Sequence, residues 1–260
     1  MSYHTISYQV CGKRADITLN RPEKRNAFNA ELVSELKLAF TQADADDAVK
    51  VIVLRAAGEV FSAGADLGYL QSLQTNTHAE NLADSSHLME LYKMIYTLGK
   101  PVIAQIEGHA IAGGCGLATI CDFSFATPEA QFGYTEVKIG FTPAIVMVFL
   151  LRKVSERNAR ELLLTGKLIS AQTAREMGLI NEVAEKADIA VRVNALCNDL
   201  IAQTSRTSIR TTKQMIAAIQ EMDLDTALGH AAHMNAQARA TDDCKYGIRS
   251  FLEKRTPDWD

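Results

Sequence analysis

The sequence predicts an α/β fold that becomes all-helical toward its C-terminus. Two patterns predict it. Short apolar or alternating runs exchange with helical periodicity over about the first 185 residues, and glycine pairs punctuate the joins. From Pro143 onward the spacing is mainly helical, with amphipathic stretches to the end of the chain.

The elements follow in order. Thr5 to Val10 and Arg14 to Asn20 alternate polar and apolar residues around Gly12-Lys13, which predicts a β-hairpin. Asn29 reads as an N-cap, and Leu32, Leu36, Ala39 and Phe40 follow at helical spacing to about Ala45. Val51 to Leu54 is an all-apolar run that suits a buried strand. A helix is expected from about Glu80 to Leu98, then a strand from Val102 to Ile106. Further strands are expected at Phe123 to Ala126 and Ala130 to Phe132, and helices at Thr207 to Met222, Asp225 to Ala240 and Asp242 to Lys254.

Composition narrows the function. Of 260 residues 47% are hydrophobic and 22% charged, as in an ordinary globular domain, and the net charge is −4. That balance does not suit a nucleic-acid-binding protein, which is usually basic. Five cysteines at irregular spacing form no disulfide framework. The first residues lack the basic-then-apolar pattern of a signal peptide, and no apolar run reaches the ~20 residues of a membrane helix, so the expected location is the cytoplasm.

Two glycine-containing turns carry the chemistry. Phe61-Ser-Ala-Gly-Ala-Asp-Leu67 and Glu107-Gly-His-Ala-Ile-Ala-Gly-Gly-Cys-Gly-Leu117 each follow a predicted strand and open a predicted helix. Such junctions leave backbone N–H groups unpaired at the positive end of a helix. Two of them brought together would aim two donors at one oxygen and stabilise an oxyanion. The alternative is that these glycines only make turns. Dinucleotide and nucleotide motifs are absent: Gly114-Cys-Gly116-Leu-Ala-Thr119 lacks a third glycine, and Gly166-Lys167 is followed by Leu168.

Six ordered blocks resemble the crotonase superfamily, also called the enoyl-CoA hydratase/isomerase family. They are Asn20 to Ala27, Phe61 to Leu67, Gly108 to Leu117, Gln131 to Gly140, Leu164-Thr-Gly166 with Gly178 to Asn181, and Phe251 to Arg255. The resemblance implies a ClpP/crotonase-like spiral of strand-strand-helix units over residues 1–190. It also implies a helical region over 191–260 that mediates trimerisation, often with trimers paired as hexamers.

The implied ligand is an acyl-CoA thioester, with no metal and no cofactor beyond the coenzyme A of the substrate. By resemblance, the amides of Ala65 and Gly113 hold the thioester oxygen, with Gly114 in the same turn. Ala27 and Ala63 to Leu67, including Asp66, lie along adenine and pantetheine. Lys24, with Phe251 and Lys254, sits near the CoA phosphates or adenine. Glu136 aligns with the acid/base glutamate, and Phe132, Tyr134, Val137 and Ile139 around it could desolvate it.

One departure matters. By the same resemblance, the best-known hydratases of the family carry a second glutamate twenty positions earlier, where Gly116 stands here. A single carboxyl suits a Δ3,Δ2-enoyl-CoA isomerase. Gly113 to Leu117 and Glu136 to Ile145 resemble a hydratase subgroup acting on branched or carboxylated enoyl-CoAs of the methylglutaconyl-CoA type, which is the preferred reading. Ala144 stands where dienoyl-CoA isomerases carry aspartate. Cys115, His109 and the His230/His233 pair are expected to pack, turn or face solvent rather than react. Asp66 is expected to cap its helix. A non-catalytic RNA-binding role would need more than the thin basic stretch from Arg206 to Lys213.

Overall fold

The structure is a computed structural model that describes residues 3–259. Strands β1 (Ile6–Cys11) and β2 (Arg14–Leu19) form the antiparallel hairpin, turned by Gly12 at φ +59°. Helix α1 (Ala30–Ala45) is capped by the Asn29 side chain on Leu32 N and buries Leu32, Val33, Leu36, Ala39, Phe40 and Ala43.

Three strand-strand-helix turns follow. The first is β3 (Val51–Ala56), β4 (Val60–Ser62), the short α2 (Leu67–Ser72) and α3 (His78–Thr97). The second is β5 (Val102–Ile106), β6 (His109–Ile111) and α4 (Gly113–Ile120). The third is β7 (Phe123–Ala126), β8 (Gln131–Gly133) and, after a 3-10 turn at Glu136–Ile139, α5 (Ala144–Lys153). Helix α6 (Glu156–Thr165), β9 (Ile169–Ser170), α7 (Ala171–Glu176) and β10 (Glu182–Val183) lead to α8 (Ile189–Gln203), α9 (Arg206–Ile219), α10 (Leu224–Ala240) and α11 (Asp242–Leu252).

Each turn lays one strand in each of two sheets. The larger sheet has the order β1-β2-β3-β5-β7-β10 and the smaller β4-β6-β8-β9. Beyond the hairpin, the larger sheet is parallel throughout. It is covered on both faces: Ile52 and Leu54 face the main core, whereas Val51 and Val53 pack with Ile103 and Phe125 beneath Ile189, Val193 and Cys197 of α8. Burial on both faces is why β3 reads as an unbroken apolar run. Residue 190, the anticipated end of the spiral, lies within α8.

The expected helices at 80–98 and 207–254 are present within a few residues of their predicted ends; α3 starts earlier because Thr77 and Glu80 form a reciprocal capping box. In the smaller sheet only β8 matches a strand read from the sequence, at Ala130 to Phe132; the two-sheet arrangement itself was implied by the resemblance. Strands β4 and β6 have three residues each and sit inside segments read as glycine turns. No helix among the described residues is long and apolar enough to cross a membrane, and all five cysteines are free.

Candidate active site

Strands β4, β6 and β8 lie side by side and parallel, with Ser62 opposite Ala110 and Ile111 opposite Gly133. Their C-terminal ends therefore open at one edge. From that edge come the Ala63–Asp66 loop, the Ala112-Gly113 turn and the Tyr134–Glu136 segment. Ligands of parallel α/β sheets commonly lie beyond the carboxyl ends of the strands, and three parallel neighbours deliver the candidate residues there.

The first loop is held by the segment before α1. Ala63 N donates to Arg25 O (3.0 Å), Phe28 N to Gly64 O (2.7 Å) and Asp66 N to Phe28 O (2.9 Å). This is a parallel bridge in which Phe28 makes both bonds, so the Ala65 N–H points away from it. No bond to the Ala65 amide is present among the described residues. The Gly113 amide, first in α4, likewise has no acceptor, as helix geometry dictates. The two turns touch: a Cβ built on Gly64, at φ +85°, would lie 2.8 Å from Ala112 Cβ and 3.3 Å from Gly113 N. Only glycine permits that approach. Ala112 itself holds φ 52°, ψ −124°, an unfavourable conformation that sets the direction of the next amide.

Glu136 is the candidate acid/base group. Its Oε2 is buried and has no hydrogen-bond partner. Burial pushes its carboxyl above the ordinary value of 4.5, against a smaller lowering by its own backbone amide. The environment differs in part from expectation. Phe132 and Tyr134 are fully buried, but Val137 and Ile139 turn outward, 38% and 65% exposed. Tyr92 of α3 and Cys115 of α4 feel the Glu136 charge instead. Burial pushes the Cys115 thiol up to about 12, which leaves it an unreactive packing group. A cavity of about 620 Å³ exists at the far end of α4, around Cys121 and Asp122 behind Tyr96 and Phe149. It contains none of the candidate groups.

The other candidates divide. Asp66 caps α2 through Gly68 N (3.0 Å) and Tyr69 N (3.3 Å). Burial alone would raise its carboxyl, but those amides and Arg21 hold it below the usual range. Arg21, which the sequence did not single out, also donates to Ala27 O (2.5 Å), so one guanidinium ties Ala27 to Asp66. Asn26, also missed, is buried at φ 51° and bonds Ala57 O and Val60 O. Ala27 is buried; Lys24, Ala65 and Leu67 are exposed along the same loops. Gly114 is packed on β4, since a Cβ there would lie 2.4 Å from Ser62 O.

Phe251 and Lys254 are exposed at the end of α11, a helix packed on α9 and α10. Among the described residues, no hydrogen bond or ion pair joins them to the Ala27 or Ala63–Leu67 segments. His109 Nδ1 accepts from Gln131 N at 3.2 Å, a strand-edge role. His4 and Glu31 are exposed and cluster with the buried Glu35, whose carboxylate accepts from His4 N and Thr5 N. Of the three basic residues in the stretch from Arg206 to Lys213, Arg206 donates to Val49 O and Lys213 is buried against Lys100 O and Asp122, while Arg210 is exposed.

The family model for enoyl-CoA hydratase/isomerase matches residues 13–260. This chain belongs to the enoyl-CoA hydratase/isomerase family. Among relatives, a Thermus thermophilus protein provisionally named an enoyl-CoA hydratase is 42% identical over 95% of this chain and 97% of that protein. A crotonyl-CoA hydratase of Syntrophomonas wolfei is 33% identical, covering 98% and 97%. The crystal structure of an enoyl-CoA hydratase of Mycobacterium smegmatis superposes with a TM-score of 0.92 at 28% identity, over 98% of this chain and 99% of that one. As a crotonase-fold member, this enoyl-CoA hydratase/isomerase family protein has the mixed α/β spiral and the helical C-terminal region.

Proposed function

We propose that the chain is an enoyl-CoA hydratase that adds water across the C2=C3 bond of a 2-enoyl-CoA. The observation that carries this reading is one buried, partnerless carboxyl oxygen, on Glu136, at the strand edge where the Ala65 and Gly113 amides are both free. The amides would hold the thioester oxygen as negative charge moves onto it, and each such donor is typically worth ~10²–10³ in rate. Glu136 as carboxylate would take a proton from water as its oxygen bonds C3. As carboxylic acid it would return that proton to C2. Its raised pKa suits both halves of the cycle.

The substrate would be a branched or carboxylated enoyl-CoA of the methylglutaconyl type. Support comes from the resemblance at Gly113 to Leu117 and Glu136 to Ile145. Coenzyme A would run along Lys24, Ala27 and Ala63 to Leu67. In a trimer or hexamer assembled through the 191–260 helices, Phe251 and Lys254 would reach a CoA from another copy. Exposed Leu224, Leu228, Ile248 and Leu252 give those helices apolar surface for such contacts.

A second reading is a Δ3,Δ2-enoyl-CoA isomerase, favoured by the single carboxyl. Incubation with a 2-enoyl-CoA and, separately, a 3-enoyl-CoA in deuterated water decides between them. Hydroxyacyl-CoA from the 2-enoyl substrate supports hydration. Isomerised product with no hydroxyacyl-CoA replaces it with the isomerase.

A further inference from the structure

We propose that Tyr92 is the positioning residue of the oxyanion hole, acting through the Gly113 carbonyl, one peptide beyond the donor; this rests on the reading of Gly113 N–H as an oxyanion donor. The Tyr92 side chain is fully buried, and its hydroxyl donates to Gly113 O at 2.6 Å, from α3 to the first residue of α4. Its ring lies edge-on to Phe149, with centroids 6.1 Å apart and planes at 72°. A phenylalanine would fill that space without carrying a hydroxyl into the core. A buried hydroxyl costs free energy unless bonded, so the oxygen adds direction rather than packing.

Direction is what this turn lacks. Gly113 has no side chain, and Ala112 before it offers no capping bond and sits at φ 52°. Such a backbone persists only when its surroundings over-determine it. Two bonds act on Ala112: its N–H donates to Gly133 O (2.7 Å), and its carbonyl accepts from Gly116 N (3.0 Å). Tyr92 restrains the other side of Gly113. A Cβ on Gly113 would lie 3.2 Å from the Phe28 ring and 3.4 Å from the Tyr92 oxygen, so residue 113 is boxed between them. Burial holds the phenol well above its ordinary value, which keeps it a donor.

The test is Tyr92→Phe, read by the infrared stretch of the thioester carbonyl in a bound, isotope-labelled enoyl-CoA. An aligned oxyanion hole shifts that band to lower frequency. The variant should lose much of the shift and about 10- to 10²-fold in kcat, with KM within a few-fold of wild type. Glu136→Gln should lose turnover and keep the shift. Phe149→Leu, which loosens the same aromatic cluster, should lower the melting temperature and keep the shift. Tyr92→Phe with wild-type shift and kcat overturns the inference, as does Phe149→Leu losing the shift to the same degree. A wild-type complex with no shift at all overturns the oxyanion reading itself, and this inference with it.

Discussion

Val146 occupies the space into which any side chain at Gly116 would grow: a Cβ there would lie 2.3 Å from Val146 Cγ1 and 3.2 Å from the Tyr92 ring. Gly116, where the resemblance implies a second glutamate in other hydratases, is thus matched by a valine on α5 that closes the gap. Gly116→Glu alone is expected to destabilise the fold by about 1–3 kcal/mol through overpacking and to add no activity. Gly116→Glu with Val146→Ala should recover part of that loss. Urea unfolding midpoints of the two variants check this.

Glu136 gives a pH dependence of defined sign. Its folded pKa lies above 4.5, so between 4.5 and that raised value the folded state binds more protons than the unfolded. Stability is therefore fully present below 4.5 and falls as pH rises through the folded pKa. Glu136→Gln should melt higher than wild type at pH 8, and the two should converge below 4.5. The acid limb of kcat/KM in wild type should sit above the ordinary carboxylate range.

Gly64 is the contact between the two turns proposed to carry the donor amides. Gly64→Ala places a methyl 2.8 Å from Ala112 Cβ and 3.0 Å from Ile111 O at a positive φ. The expected cost is about 1–3 kcal/mol in stability. Turnover should fall more steeply than stability predicts, because the loops must part. Steady-state kinetics at a temperature where the variant is fully folded separates the two effects.

Much of this was legible in the sequence. The hairpin, α1, α3 and β5 follow from periodicity and caps, because each satisfies a local rule. Within the smaller sheet β8 was read as a strand but β4, β6 and β9 were not, since strands of two or three residues carry too few residues to show a period. Glu136, Ala65 and Gly113 came from family resemblance, and their common edge came from the pairing of β4, β6 and β8. Arg21, Asn26 and Tyr92 were missed because their value lies in partners distant in sequence. Asn26 stood within a quoted block, and a buried asparagine at a turn was the available signal.

Lys213 anchors α9 to the spiral. Its ammonium bonds Asp122 at 2.6 Å and Lys100 O at 2.9 Å, with the side chain 8% exposed. Lys213→Met leaves the Asp122 carboxylate, 26% exposed, bonded among the described residues only to Val102 N. The expected loss lies toward the lower end of the ~3–5 kcal/mol for breaking a buried pair. Hydrogen exchange should show α9 amides losing protection before those of β3 and β5.

The central claim is that one carboxyl, Glu136, does the proton transfer beside two amides that do the holding. Glu136→Gln measured for both turnover and CoA-thioester affinity tests it most directly. Turnover of a 2-enoyl-CoA should fall by about 10²-fold or more, with the dissociation constant of a non-reacting acyl-CoA within a few-fold of wild type. Undiminished turnover in that variant would contradict the account.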